Sequence, residues 1–250
     1  MIEPIVKRCA GLDVHKMSVM VTVLIEQPDG GLVEETRQFG TFRKDRQALC
    51  DWLNQQGVEL AVMESTGTYW KSIHGTLEAA AIATQVVNAR HVKRVPGRKT
   101  DVGDSQWLAT LARCGLLRPS FIPPVDLRQL RLMTRHRMKL KGQLASEKNR
   151  LQKILDDGGI RLGGVVSDIH GVSAHAMIEG LITGQPVEDL VTYAKGRLKD
   201  KQALLAEALD ESLSDRHRLL LQELHRHIGF LEQQIQTLDE HVLHTQHIVG

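Results

Sequence analysis

The sequence predicts an α/β domain over residues 1–122 followed by an all-α, coiled-coil-like region over residues 123–250. Three observations predict it. Short apolar, strand-like runs alternate with helical stretches as far as Gly115. Pro119, Pro123 and Pro124 then interrupt regular structure. Beyond them Leu221, Leu224, Ile228, Leu231, Ile235, Leu238 and Val242 recur at alternating spacings of 3 and 4. That is the seam of a coiled coil, and helices in bundles share it.

The first part reads element by element. Ile5 to Val14 is an apolar run ending in Gly11-Leu12-Asp13. Val19, Val21 and Val23 alternate with other residues, which predicts a half-exposed strand. Pro28-Asp29-Gly30-Gly31 is a turn signal, so the strands on either side form a hairpin, the later one over residues 35–42. Residues 45–56 follow as a helix with Leu49, Trp52 and Leu53 on one face, stopped by Gly57. Residues 58–63 are a short apolar strand suited to the middle of a sheet. A helix over 69–81, a buried strand over 84–88 and a helix over 102–114 complete the series. Three strands, helix, strand, helix, strand, helix is the succession of a ribonuclease-H-like fold. The second part begins with a long basic helix over 126–155. The glycine-rich stretch 158–184 reads as short helices and loops, and helices return over 203–209 and 219–242. The last helix either pairs with 126–155 in a hairpin, packs in a globular bundle, or dimerises.

Composition narrows the class. Hydrophobic residues make up 42% and charged residues 25%, as in a globular chain. No apolar run reaches the length of a membrane span, and the start lacks a signal-peptide pattern, so the expected location is cytoplasmic. Cys9, Cys50 and Cys114 are odd in number and far apart, which suggests buried free thiols rather than a disulfide or zinc framework. The net charge of +2 hides an asymmetry. Between Arg90 and Lys153 sixteen basic residues stand against four acids. Such a block is a phosphate-binding surface unless acidic neighbours in the fold neutralise it.

Four acids carry the chemistry. Asp13 ends the first strand and Glu64 the fourth, while Asp101 and Asp104 flank the start of the 102–114 helix, three residues apart. Neighbouring strand ends bring distant acids together, and gathered carboxylates repel unless cations sit between them. Hard divalent ions such as Mg²⁺ (or Mn²⁺) take such oxygen donors. A pair of these ions activates an attacking oxygen and stabilises the leaving oxygen of a phosphodiester. His15, Lys16, Arg98, Lys99, Arg131, Arg135, Lys139 and Lys141 are the candidate nucleic-acid contacts. The hydroxyls and glycine of Ser65-Thr66-Gly67-Thr68 approach a backbone or simply start a helix. Gly-Leu-Asp at a strand end also fits actin-like phosphotransferases. Those need recurring glycine-rich phosphate loops, and a loop with one glycine makes a poor phosphate cradle.

The segments Gly11–Lys16, Met63–Lys71 and Lys99–Ala109 resemble the DEDD transposases of bacterial insertion sequences, relatives of the Piv site-specific invertase. Residues 165–173 resemble the middle region of that family, so the likeness runs along essentially the whole chain. The resemblance implies a RuvC-like domain with Asp13, Glu64, Asp101 and Asp104 as its catalytic, metal-binding tetrad. It implies DNA as substrate through junction-like intermediates, a structured guide RNA in some members, a coiled-coil linker used in assembly, and dimers or tetramers. The family continues into a second domain with a serine nucleophile. This sequence reaches Gly250 before any such segment, so the expectation is a shortened copy or fragment. No serine in it, Ser167 and Ser173 included, is assigned the nucleophile's role. Two readings follow: a metal-dependent transposase or recombinase, and a truncated, non-catalytic module for nucleic-acid binding and assembly.

Overall fold

The structure is a computed structural model, and it describes residues 4–92 and 103–246. The chain forms two compact units that divide between Ile122 and Pro123.

The first unit contains β1 (Arg8–Val14), β2 (Ser18–Glu26), β3 (Leu32–Gly40), α1 (Arg43–Gln55), β4 (Leu60–Glu64), α2 (Trp70–Ala79), β5 (Thr84–Val87), α3 (Ala89–Val92) and α4 (Asp104–Arg113). The strands lie in the order β3-β2-β1-β4-β5. The first three pair antiparallel, and β4 and β5 run parallel to β1. This is the ribonuclease-H-like α/β sheet. The β2–β3 turn closes as its residues dictate: Gly30 takes a φ of +81°, and the Asp29 carboxylate accepts the Gly31 amide at 2.9 Å. Gly57, at φ +64°, follows α1.

Side-chain alternation splits the strands between two layers. Ala10, Leu12, Val21, Val23, Ala61, Met63 and Val86 pack with Leu49, Trp52, Leu53, Ile73 and Leu77 of α1 and α2. Val62 and Val87 pack with Leu108, Leu111 and Ala112 of α4, and Cys9 and Leu24 with Ala109. The strand over Val19–Val23 is not half-exposed, contrary to what its alternation suggests. From Val21 to Ile25 β2 is buried throughout, because it lies second in the sheet with a helix layer on each face. The exposed strand is β3, at the sheet edge.

The second unit contains α5 (Val125–Asp157), α6 (Val172–Thr183), α7 (Val187–Leu190), α8 (Gln202–Leu209) and α9 (Asp215–Gln246). The stretch expected as short helices and loops holds α6, a three-turn helix buried along Ala174, Met177, Ile178 and Leu181. Its composition is apolar on most sides, which weakens the periodic signal of a helix. Of the seven seam residues, Leu221, Leu224, Ile228, Leu231 and Ile235 are buried. α5 and α9 form an antiparallel hairpin: Arg137 binds Asp239 through two hydrogen bonds, Lys148 meets Glu232 at 2.8 Å, and Asp157 meets His217 at 3.0 Å. Leu140, Leu231, Ile235 and Leu238 fill the seam between them. Among the described residues no helix is long and apolar enough to cross a membrane.

Two partly buried histidines, His170 and His225, make this unit sensitive to acid. The His225 ring tilts against His175 at 4.3 Å, and its buried Nε2 has no hydrogen-bond partner among the described residues. Burial, then the His175 charge, holds His225 below the ordinary histidine value; burial and Lys148 do the same to His170. Glu179, Glu232 and Asp168 oppose these effects without reversing them. In the unfolded chain both rings titrate near about 6.5. Between that value and the lowered folded ones the unfolded state binds more protons, so stability rises with pH. It is complete above about pH 6.5 and falls as the pH drops below it. Thermal melts should therefore show a lower midpoint at pH 5 than at pH 7.5. His225→Gln should flatten that dependence, and an unchanged slope in the variant would remove His225 from the account.

Candidate active site

The sheet places its acids by register and alternation. Leu12 on β1 pairs with Met63 on β4, and Asp13 and Glu64 are the next residue on each strand. Leu12 and Met63 face the α1–α2 layer, so one step further both carboxylates belong to the opposite face, the side of α4. They sit together at the carboxyl end of two adjacent parallel strands.

α4 brings the third acid to the same end. The Arg113 carbonyl accepts the Ile5 amide at 2.9 Å, Cys9 Sγ bonds the Ala109 carbonyl at 3.3 Å, and Ser105 lies over Gly11. The helix thus runs antiparallel to β1, with its first residue, Asp104, toward the end that holds Asp13. Two details seat it. At Gly11 an added Cβ would overlap the Ser105 carbonyl and the Ala109 amide, so only glycine lets the helix lie this close. Beside it, Ser105 Oγ hydrogen-bonds Thr22 Oγ1 at 2.8 Å, and Thr22 Oγ1 in turn bonds Thr36 Oγ1 at 2.9 Å. Thr22 is only 1% exposed, and a buried hydroxyl pair of this kind fixes the helix's position along the strands. Neither Thr22 nor Ser105 stands out in the sequence; the signal is Gly11, two residues before Asp13. Burial pushes the Cys9 thiol beneath α4 up to about 11, which makes it a packing residue rather than a nucleophile.

The acids already have neighbours. Asp13 Oδ2 lies 3.0 Å from His15 Nε2, and Thr66 Oγ1 donates to Glu64 Oε2 at 3.4 Å. Asp101 lies outside the described residues. Among the described residues no three His, Cys, Asp or Glu side chains stand close enough together to hold a metal ion. The donor chemistry itself suits one: all the acids offer hard oxygens, which Mg²⁺ and Mn²⁺ take.

A family model of DEDD transposases of the IS110 type, described as "Transposase", matches residues 10–159, more than half of the chain and all three described acids. The chain belongs to this transposase family. No curated protein sequence matches it. Among solved structures, Thermus thermophilus RuvC is similar at 13% identity and a TM-score of 0.34, over 45% of this chain and 99% of that one. RuvC of the same organism in complex with a Holliday junction substrate has the same TM-score and coverage at 11% identity. An Aquifex aeolicus Ppx/GppA phosphatase is similar at 10% identity and a TM-score of 0.26, over 88% of this chain and 93% of that one.

The basic residues of this DEDD transposase separate into groups. His15 and Lys16 are exposed in the β1–β2 turn beside Asp13. Arg98 and Lys99 lie outside the described residues. Arg131, Arg135 and Lys139 are exposed at i, i+4 and i+8 on α5, so they share one helical face. Lys141 lies elsewhere, in the α5–α9 groove with Glu232, Asp239 and Glu240. Acids consume several other cations of the basic block: Arg113 pairs with Glu26 at 2.8 Å, Arg137 with Asp239 and Lys148 with Glu232.

Proposed function

We propose that this transposase cuts and rejoins DNA at the carboxyl end of its sheet, with Asp13, Glu64, Asp101 and Asp104 as the residues that hold Mg²⁺ or Mn²⁺. The observation that carries the reading is the convergence of Asp13, Glu64 and the N-terminus of α4 on one end of the sheet. When bound, such ions generate the attacking hydroxide and stabilise the leaving oxygen. The protein's own groups orient the reaction. His15 holds the Asp13 carboxylate in place by hydrogen bond. Lys16, on the same turn, takes a DNA phosphate, and Arg98 and Lys99 extend that contact from the segment leading to Asp104. Arg131, Arg135 and Lys139 add a phosphate-binding face on the helical unit, with Lys141 from the groove. In this reading residues 1–122 are the RuvC-like catalytic domain and residues 123–250 the coiled-coil assembly region of a homo-oligomer, with a structured guide RNA as a further partner.

A second reading, a non-catalytic binding and assembly module, is favoured by Arg131, Arg135 and Lys139, exposed on one face of α5. One assay separates the two. The full chain is incubated with supercoiled and branched DNA in Mg²⁺, in Mn²⁺ and in EDTA. The first reading predicts strand cleavage that EDTA abolishes. Steeply salt-dependent binding without turnover in either metal supports the second.

A further inference from the structure

The carboxyl end of the sheet carries more than acids. The β1–β2 turn and the β3–α1 junction lie side by side there. Ser18 pairs with Gly40, the His15 amide donates to the Ser18 carbonyl at 2.9 Å, and Thr41 Oγ1 donates to the Lys16 carbonyl at 3.1 Å. At this link each segment exposes a large apolar side chain: Met17 is 58% exposed and Phe42 63%. Neither contributes to a core cluster, and leaving such surface in water is unfavourable. Phe42 also occupies the N-cap of α1, where a short polar side chain would bond the free amides, and it forms no such cap.

Cations surround the pair. Lys16, Arg43 and Lys44 are all exposed, and Arg46 braces the junction by bonding the Thr41 carbonyl at 2.6 Å. Arg43 and Lys44 stand in the first turn of α1, where the helix dipole disfavours positive charge. The one acid within residues 15–18 and 41–46 is Asp45, which lies against Gly40. Local stability therefore explains neither the aromatic cap nor the cations. A ligand with an apolar planar face and repeating negative charge would use both.

We infer that Phe42 and Met17 form a stacking platform for an unpaired nucleobase at the same end of the sheet as the carboxylates, with Lys16, Arg43 and Lys44 on the flanking phosphates. The inference rests on the reading of DNA as the substrate. A single-stranded nucleotide has this combination of π-face and phosphate, whereas a paired duplex keeps its base faces stacked inside. The platform would capture a base released where strands open or branch, at the end of the sheet where the phosphodiester would be cut.

The test uses the full chain and an oligonucleotide carrying 2-aminopurine, both as a single strand and in a complete duplex. Single-strand binding should change the 2-aminopurine emission by stacking. Phe42→Ala should remove that change and weaken single-strand binding by about tenfold, with duplex binding unchanged. Phe42→Trp should retain both signals, which separates stacking from loss of fold, and thermal melts check that each variant folds. Arg43→Ala with Lys44→Ala should reduce the salt slope of single-strand binding by about 1.4, or about 0.7 per phosphate. If the wild type binds both DNAs and Phe42→Ala matches it on the single strand, the platform is wrong while the DNA reading stands. If the wild type binds neither DNA, both are wrong.

Discussion

Asp13→Ala is expected to lower Mg²⁺-dependent DNA cleavage by about a thousandfold or more, and Glu64→Ala by a similar factor. In the proposed site each carboxylate would supply part of the coordination that steadies the ions. Losing several kcal/mol of transition-state stabilisation costs about tenfold per 1.4 kcal/mol. Glu64 ends β4, Asp13 is the last but one residue of β1, and both are partly exposed, so the sheet should survive their truncation. Asp13→Asn sharpens the test, since it keeps shape and removes charge. Cleavage rates, DNA-binding isotherms and thermal melts on the same preparations would show the pattern: turnover lost, binding and folding kept. Wild-type cleavage rates in Asp13→Asn and Glu64→Ala together would remove these acids from the site.

Gly11→Ala should be the most damaging small substitution in the first unit. Its new methyl meets the Ser105 carbonyl and the Ala109 amide, which are backbone atoms and cannot rotate aside. Either α4 lifts from β1 or the sheet distorts. Overpacking of this kind costs about 1–3 kcal/mol and occasionally more. Cleavage should fall with it, because Asp104 rides on α4 and its position depends on that contact. Gly75 in α2 is the control: an added Cβ there meets nothing within 4 Å. Gly75→Ala should be neutral or stabilising by about 0.5–1 kcal/mol, through helix propensity alone. Urea melts of the two variants test the pair. A Gly11→Ala protein as stable as Gly75→Ala would mean that α4 is not seated on β1 as described.

Strand patterning made much of the first unit legible. The alternation around Val19–Val23 and the apolar runs before Asp13 and Glu64 mark β1, β2 and β4, and with them the two acids at strand ends. What pattern cannot carry is contact across the fold. Thr22 reads as an ordinary polar strand residue, yet it is buried against Ser105, 83 positions away. Nothing local in either residue announces that pairing. The same holds for charge. Arg137 belongs to a conspicuously basic segment, but Asp239, 102 residues later, binds it and is itself held below the usual carboxylate range by that guanidinium. Lys148 is matched in the same way by Glu232. Summing charge along the chain therefore overstates the surface left for nucleic acid, whereas Arg131, Arg135 and Lys139 remain exposed on one face of α5. The seam along α9 is legible as a seam, and its pairing with the 126–155 helix is one of three arrangements the sequence leaves open, because a heptad pattern specifies a packing face and not the facing helix.

The assignment of a metal-holding carboxylate site meets its most direct test in diffraction. Crystals of the full chain with Mn²⁺ and a DNA substrate, measured at a wavelength where manganese scatters anomalously, would locate the ions. The predicted result is an anomalous peak bounded by Asp13 and Glu64, with Asp104 on the same side. Manganese bound elsewhere on the protein, with DNA present and that end of the sheet empty, would contradict it.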